Sequence, residues 1–432
     1  MQTFEWEKWG GEPLHIKSDE ELPWHDGLFL SIDDNGLQIP YRLSHTSTEN
    51  NNGWLLVVFN AAIMQRATRV PPFFSGTRLA RGYRGPVLSI SDPGSHLKDV
   101  NLAWYAGTKE HPHLQKAVSE LIQDLASKNN LTPLLLGSSG GGFASLAIGS
   151  SLSCDNVIIA MNPQTDFFLY HEAAVERYLI HCFGLERTPK TQKYLEDIGI
   201  ITDIKSHEFP YSKILYLQNL LDSYHLTRHF DFLVESSNLK DSVEGVCQSL
   251  YWFLGPWGIG HDRVWPEHVL EILSMITSGH EISSIISHLK QQFYPEGVEI
   301  NPFDEEIVVV DDDSYPHLQD LDMKTVMIGE YNFSSSNMPL NFTHGWVIIR
   351  PLISQNTLTP DLYRAIYYVL NWGKWSSANQ THPGVLDRDS IHDRIQIMQY
   401  LIKLVPQING LIPHYERLEE MLEDDLTRNS SN

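Results

Sequence analysis

Short apolar runs alternate with segments of helical periodicity between about residues 27 and 285, and this alternation constrains the fold more than any other feature. It predicts a mostly parallel sheet covered by helices. The clearest helix spans 114–125, where apolar residues recur at i, i+3, i+4, i+7, i+8 and i+11. The predicted strands are 28–32, 37–43, 54–60, 87–91, 134–137, 157–161, 214–218 and 250–254. These eight strands, with the first two antiparallel, predict one large α/β domain.

Three further stretches fall outside this pattern. Residues 1–26 precede the first strand as an N-terminal extension. Residues 164–212 read as helical and join two strands with more chain than a crossover needs, which indicates a cap insertion over a pocket or, alternatively, extra packing. Residues 286–432 begin with a proline- and glycine-containing linker, and their apolar runs and helices predict an α+β accessory region. We expect this region to shape the access of a substrate and to contribute no chemistry.

The charge and composition of the chain exclude several classes of function. It has 432 residues, and 31 Lys and Arg against 54 Asp and Glu give a net charge of −23. Nucleic acid and anionic membrane surfaces would be repelled by this charge. Its apolar runs are much shorter than the ~20 residues that cross a bilayer, and the N-terminus lacks the layout of a secretory signal. The three cysteines are too scattered for a disulfide framework or zinc site, so we expect a cytoplasmic protein.

The strongest local motif is Gly137-Ser138-Ser139-Gly140-Gly141, which fits G-x-S-x-G between a predicted strand and a helix-forming stretch. A serine on such a turn has a strained backbone and an Oγ atom exposed at the edge of the sheet. The flanking glycines are needed because side chains there would collide with the neighbouring strand and helix. The N-terminus of the following helix offers unpaired N–H groups to a developing oxyanion. The motif therefore predicts that Ser139 is a nucleophile.

A nucleophilic serine needs a base and an acid that orients this base. After the motif, the predicted strand 214–218 leads to Asp222. The following predicted strand, 250–254, leads to His261 on a glycine-rich loop. This order and these positions predict Asp222 as the acid and His261 as the base. A capping or packing role is the alternative for His261, and Asp262 and Asp203 are alternative carboxylates.

The motif, Asp222 and His261 together make residues 27–285 resemble the α/β-hydrolase superfamily. The resemblance implies an α/β-hydrolase fold in which Ser139 attacks, His261 acts as general base and then acid, and Asp222 orients the imidazole. We expect no metal and no cofactor. We expect the chemistry to pass through an acyl-enzyme on Ser139.

The same resemblance implies an oxyanion hole made of backbone amides. The first donor is the N–H of Gly140, which follows the nucleophile. The second comes in this superfamily from the loop after the third strand, which here lacks the usual His-Gly pair. The N–H of Ala61 or of Asn60 is therefore the predicted second donor.

Two other groups of residues suggest additional or alternative roles. His225 and His229 have i, i+4 spacing and could bind zinc with Asp222, although the serine motif already gives Asp222 a function. Trp257 precedes His261 by four residues and is the predicted substrate-binding aromatic, while the other tryptophans are typical of core contacts.

A narrower resemblance concerns three short motifs. They are Phe59-Asn60-Ala61-Ala62, Ser91-Asp92-Pro93-Gly94 and Ala103-Trp104-Tyr105-Ala106-Gly107. They resemble α/β-hydrolase-related proteins of bacterial capsule biosynthesis and accessory secretion, which are associated with acyl transfer to glycans or glycoproteins.

The predicted function is that of an ester hydrolase acting on an ester or an acylated carbohydrate. One alternative is an O-acetyltransferase acting on a bacterial glycan or capsule polysaccharide, with an acyl donor such as acetyl-CoA. Another is an inactive scaffold that binds a glycan or a protein. The sequence leaves the acyl group, the acceptor and the oligomeric state open.

Overall fold

The computed structural model describes residues 4–47, 49, 51–64, 66–219, 222–230, 243–255, 257, 261 and 263–293, and the backbone of two further strands, Val326–Ile328 and Tyr331–Phe333. The chain divides into two compact units. The first comprises Met1–Gln218, His225–Leu254 and Arg263–Leu289, and the second comprises Asn219–Tyr224, Gly255–Asp262 and Lys290–Asn432.

A mixed sheet of ten strands is the main element of the first unit. The strands are β1 Leu14–Lys17, β2 Gly27–Ile32, β3 Gln38–Ser44, β4 Trp54–Phe59, β5 Val87–Ile90, β6 Thr132–Ser138, β7 Asn156–Met161, β8 Ser212–Asn219, β9 Glu244–Cys247 and β10 Leu250–Gly255. Their order is β1-β2-β3-β5-β4-β6-β7-β8-β10-β9. β3 is antiparallel to β2 and to β5, whereas β5, β4, β6, β7 and β8 are parallel. The α/β class and all eight predicted strands are confirmed, including the antiparallel first pair.

The two strands that the sequence did not predict lie at the edges of the sheet. β1 lies within the N-terminal extension 1–26 and runs parallel to β2. β9 runs antiparallel to β10. Only Ile16 is buried in β1, and no residue of β9 is buried. Because an edge strand is partly exposed to solvent, it needs no apolar run that sequence patterning could detect.

Helices connect the central strands. They are α1 Thr77–Gly82, α2 Leu114–Lys128, α3 Gly140–Ser150, α4 Glu172–Phe183, α5 Pro189–Asp197, α6 Ser223–His225, α7 Pro266–Thr277 and α8 Ile282–Phe293. Short 3₁₀ helices span Trp6–Trp9, Arg66–Thr68, Pro93–His96 and Phe167–Leu169, and a π-helix spans Leu226–Phe230. The predicted apolar stripe of α2 is confirmed, since it buries Val118, Ile122 and Leu125.

The segment 164–212 contains α4 and α5 and is helical as predicted, while its role as a cap stays a prediction. Most of the predicted strands and helices of residues 286–432 lie outside the described residues. Two strands of this region are described, β11 Val326–Ile328 and β12 Tyr331–Phe333, and they pair antiparallel in the second unit. None of the described helices is both long and apolar enough to span a membrane.

The centre of the sheet explains why a buried helix follows β6. β4, β6 and β7 are almost entirely buried, as parallel strands covered on both faces must be. α3 follows β6 at once and buries ten of its eleven residues, Gly140 to Gly149. A helix that is small and apolar on every side can pack against the sheet this closely.

Candidate active site

Ser139 lies on the turn between β6 and α3 with φ 54° and ψ −123°. This backbone conformation is strained for a residue with a side chain. A Cβ atom added to Gly137 would lie 1.9 Å from the carbonyl oxygen of Gly141, so only glycine fits at position 137. The turn thus has the strand-to-helix form that the sequence predicts.

The start of α3 lies against the end of β4. A Cβ atom on Gly141 would be 2.9 Å from the Phe59 carbonyl oxygen. The Asn60 N–H donates to Tyr105 Oη at 3.0 Å, so this amide is already engaged. Within the described part of the chain, the N–H groups of Gly140 and Ala61 donate to no protein group. Of the two alternatives for the second oxyanion donor, Ala61 therefore has the available amide.

The segment that follows β5 is held by a buried carboxylate. Asp92 accepts hydrogen bonds from the N–H groups of Gly94 at 3.0 Å and Tyr105 at 2.9 Å. Burial raises the pKa of Asp92 to about 6, and these N–H donors oppose the rise. Tyr105 Oη also lies 2.7 Å from the Ile90 carbonyl oxygen and 2.6 Å from Asn60 Oδ1. Residues of all three short motifs therefore belong to one hydrogen-bonded network.

Gln164 contacts Ser139 and is a site residue that the sequence analysis missed. Its Nε2 atom donates to Ser139 Oγ at 2.8 Å and lies 3.1 Å from Nε2 of His225. Its Oε1 atom accepts from Trp104 Nε1 at 3.2 Å. Gln164 follows β7, which is parallel to β6, so it emerges at the same edge of the sheet as Ser139. The signal that could have indicated it is a polar residue three positions after the end of a buried strand.

His225 and His229 also lie in the first unit, with ring centroids 5.1 Å apart. The α-helical spacing assumed for them is not observed, since a π-helix begins at Leu226. His225 Nε2 contacts the amide of Gln164, and His229 Nδ1 accepts from the N–H of Thr165 at 3.3 Å. Zinc binding through these nitrogens would require both hydrogen bonds to break.

In the second unit, Asp222 and His261 form a close pair. Asp222 Oδ2 lies 2.5 Å from His261 Nδ1, and the Asp222 side chain is 2% exposed. The Asp222 N–H donates to the Asn219 carbonyl oxygen at 3.1 Å, which ties the backbone of Asp222 to the end of β8. Because a carboxylate only accepts, Nδ1 carries the proton of a neutral His261 and Nε2 is its basic nitrogen.

Three further residues named as candidates are Asp203, Asp262 and Trp257. Asp203 Oδ1 accepts from the N–H of Lys205 at 2.7 Å, and Asp262 lies outside the described residues. Trp257 is fully buried. Its backbone N–H donates to Asn219 Oδ1 at 3.2 Å, and its ring centroid is 5.9 Å from that of Phe293. The substrate-binding role of Trp257 stays a prediction, and in this structure its ring is packed against Phe293.

The parallel strands, the sharp turn at Ser139 and the buried helix behind it define a fold of the α/β-hydrolase type. No protein-family model and no curated protein matches the sequence. The chain is similar to the solved capsule O-acetyltransferase of Neisseria meningitidis serogroup A, with 18% identity and a TM-score of 0.42, over 61% of this chain and 98% of that one. A mutant of that acetyltransferase has also been solved in complex with CoA.

Two other solved structures are similar over smaller shares of their own length. For the Glycosylation Associate Protein (Gap123) complex from Streptococcus agalactiae, the identity is 18% and the TM-score 0.39, over 58% of this chain and 44% of that one. For prolyl oligopeptidase B from Galerina marginata, the identity is 14% and the TM-score 0.40, over 60% and 37%. All of these similarities are too distant to transfer a function.

Proposed function

We propose that the protein is a serine enzyme of acyl chemistry, an ester hydrolase that forms an acyl-enzyme on Ser139. The observation that carries this proposal is the Ser139 backbone at φ 54°, on a turn that leads directly into the N-terminus of α3. A strained backbone at a serine on a strand-to-helix turn is typical of a site where the turn exposes a nucleophile. The 2.5 Å pair of Asp222 and His261 supports the assignment of the acid and base.

In the first half of the reaction, Ser139 Oγ attacks the carbonyl carbon of the ester while His261 Nε2 takes the hydroxyl proton. The amides of Gly140 and Ala61 donate to the oxyanion that forms. The tetrahedral intermediate collapses, the bond to the alcohol oxygen breaks, and His261 returns the proton to the leaving alcohol. Asp222 stabilises the imidazolium between these two steps.

In the second half, His261 removes a proton from an acceptor that attacks the acyl group on Ser139. Water as acceptor releases a carboxylic acid, and this hydrolysis is the main proposal. A glycan hydroxyl as acceptor releases a new ester, with a thioester such as acetyl-CoA as donor. Transfer is the second candidate because Asn60, Asp92 and Tyr105, from the three motifs that resemble capsule and secretion proteins, form one network.

A fluorophosphonate probe tests the proposal, because it reacts only with an activated serine. We expect the probe to label the full-length protein and the Ser138→Ala variant, whereas Ser139→Ala should not be labelled. A folded protein that remains unlabelled would instead be a binding scaffold. Incubation with acetyl-CoA, with and without a polysaccharide acceptor, then distinguishes free acetate from an acetylated polymer.

A further inference from the structure

The amide of Gln164 is fully buried and has a side-chain partner on three sides. Ser139 Oγ and His225 Nε2 face its Nε2 atom at 2.8 and 3.1 Å, and Trp104 Nε1 faces its Oε1 atom at 3.2 Å. The Gln164 N–H also donates to the Ser139 carbonyl oxygen at 3.4 Å. Gln164 thus binds both the backbone and the side chain of the nucleophile.

The chemistry of Trp104 fixes the orientation of this amide. An indole N–H can only donate, so the atom that faces it must be the amide oxygen. The two amide hydrogens are then directed to Ser139 and His225. It follows that Ser139 Oγ accepts a hydrogen bond, while its own proton remains available to a base. It follows also that His225 Nε2 accepts, which assigns a neutral His225 with its proton on Nδ1.

We propose that Gln164 is a positioning residue that holds the Ser139 hydroxyl in its reactive rotamer. A free serine hydroxyl samples three staggered rotamers, and the amide selects one of them. The amide also donates to His225 Nε2, so this nitrogen of the buried histidine is occupied and does not compete for the Ser139 proton. This inference rests on the proposed role of Ser139 as nucleophile.

Gln164→Met tests the inference, because it keeps the length of the side chain and removes both donors. We expect the maximal rate of probe labelling to fall about 10- to 100-fold with an unchanged probe concentration at half-maximal rate. The matched control is Gln115→Met, since Gln115 is another buried amide and binds the N–H and carbonyl groups of Ile201 at 2.8 and 3.1 Å. This control should lower the melting temperature without changing the rate.

A double-mutant cycle with Trp104→Phe separates positioning from a general packing effect. Trp104→Phe alone should lower the labelling rate about three- to tenfold, because the amide can then turn over, and should add nothing in the Gln164→Met background. Additive effects, or a folded Gln164→Met variant labelled at the wild-type rate, would overturn the inference.

Gln164→Glu covers the case in which Gln164→Met fails to fold. A carboxylate cannot donate to Ser139, whereas a protonated carboxyl can. The labelling rate relative to wild type should therefore rise as the pH falls, and a ratio near one at every pH would contradict the proposal. If Ser139→Ala retains labelling, the proposed function fails instead; if only the Gln164 variants behave like wild type, this inference alone fails.

Discussion

At the scale of single residues, the Asp222 carboxylate decides which nitrogen of His261 is basic. Asp222→Asn should keep the fold and lose about 10³- to 10⁴-fold in turnover, because an amide cannot stabilise the imidazolium and can favour the wrong tautomer. Steady-state kinetics on a chromogenic ester would measure the loss. Asp262→Asn is the matched control and should be mild; the reverse pattern would show that Asp262 is the acid.

Sequence reasoning could indicate the proposed nucleophile, Ser139, but not Gln164, whose amide contacts it. Ser139 is indicated by five consecutive residues, and Asp222 and His261 are indicated by their order after predicted strands. Gln164 meets its partners Ser139, Trp104 and His225 across 25, 60 and 61 residues of sequence. A lone glutamine has no motif, and only the three-dimensional arrangement brings these side chains together.

At the scale of elements, the turn from β6 to α3 depends on the absence of a side chain at position 137. Gly137→Ala should destabilise the protein by about 3 kcal/mol and abolish labelling, since the new Cβ would meet a backbone carbonyl that cannot move aside. The control Gly149→Ala adds a Cβ in α3 that would lie 2.4 and 2.9 Å from Cδ1 and Cγ1 of Ile158, a flexible side chain and not a backbone carbonyl. Thermal melting should separate the two variants, and an equal loss in both would contradict this explanation.

The Pro93–His96 turn contains a group that makes folding sensitive to acid. His96 Nε2 lies 2.8 Å from Ser91 Oγ, and burial, with the nearby charge of Arg66, lowers the pKa of His96 from 6.5 to about 3. The unfolded chain therefore binds a proton first, and the stability contributed by neutral His96 is present above pH 6.5 and lost as the pH falls towards 3.

His96→Gln should remove this contribution. Between pH 7 and pH 5, the free energy of unfolding should fall by about 2 kcal/mol less in the variant than in wild type. Urea titrations at both pH values would measure the difference. Asp92, whose pKa is raised, acts in the opposite direction but is common to both proteins, so it cancels in the comparison. Parallel stability curves would contradict the prediction.

The elements that sequence patterning found are those buried on both sides. β4 and β6 present continuous apolar runs because helices cover both faces of the central sheet. β1 and β9 belong to the sheet through backbone pairing, which any side chain permits. β1 and β9 form because the neighbouring strands β2 and β10 offer them backbone hydrogen-bonding partners. The sequence of β1 or β9 alone therefore does not predict them.

At the scale of the whole molecule, residues 290–432 belong to the second compact unit, which also contains Asp222 and His261. Truncation after Phe293 keeps the contact of this ring with Trp257. We expect the truncated protein to retain probe labelling at Ser139 and to lose activity on a polymeric natural substrate, because a large substrate needs an extended surface. Thermal melting must first establish that it folds. Full activity of a folded truncation on the polymer would contradict this role.

The left-handed backbone of Ser139 also limits how heat-resistant a working form of this protein can become. Elsewhere in a chain, alanine is usually more stabilising than glycine by about 0.5–1 kcal/mol, but a strained conformation of this kind costs about 1–3 kcal/mol for any residue with a Cβ. Ser139→Gly should therefore melt at a higher temperature than Ser139→Ala, and calorimetry of the two inactive variants would measure the strain. Selection for thermostability alone would favour loss of Ser139, the proposed nucleophile, so directed evolution of this protein needs a simultaneous selection for activity.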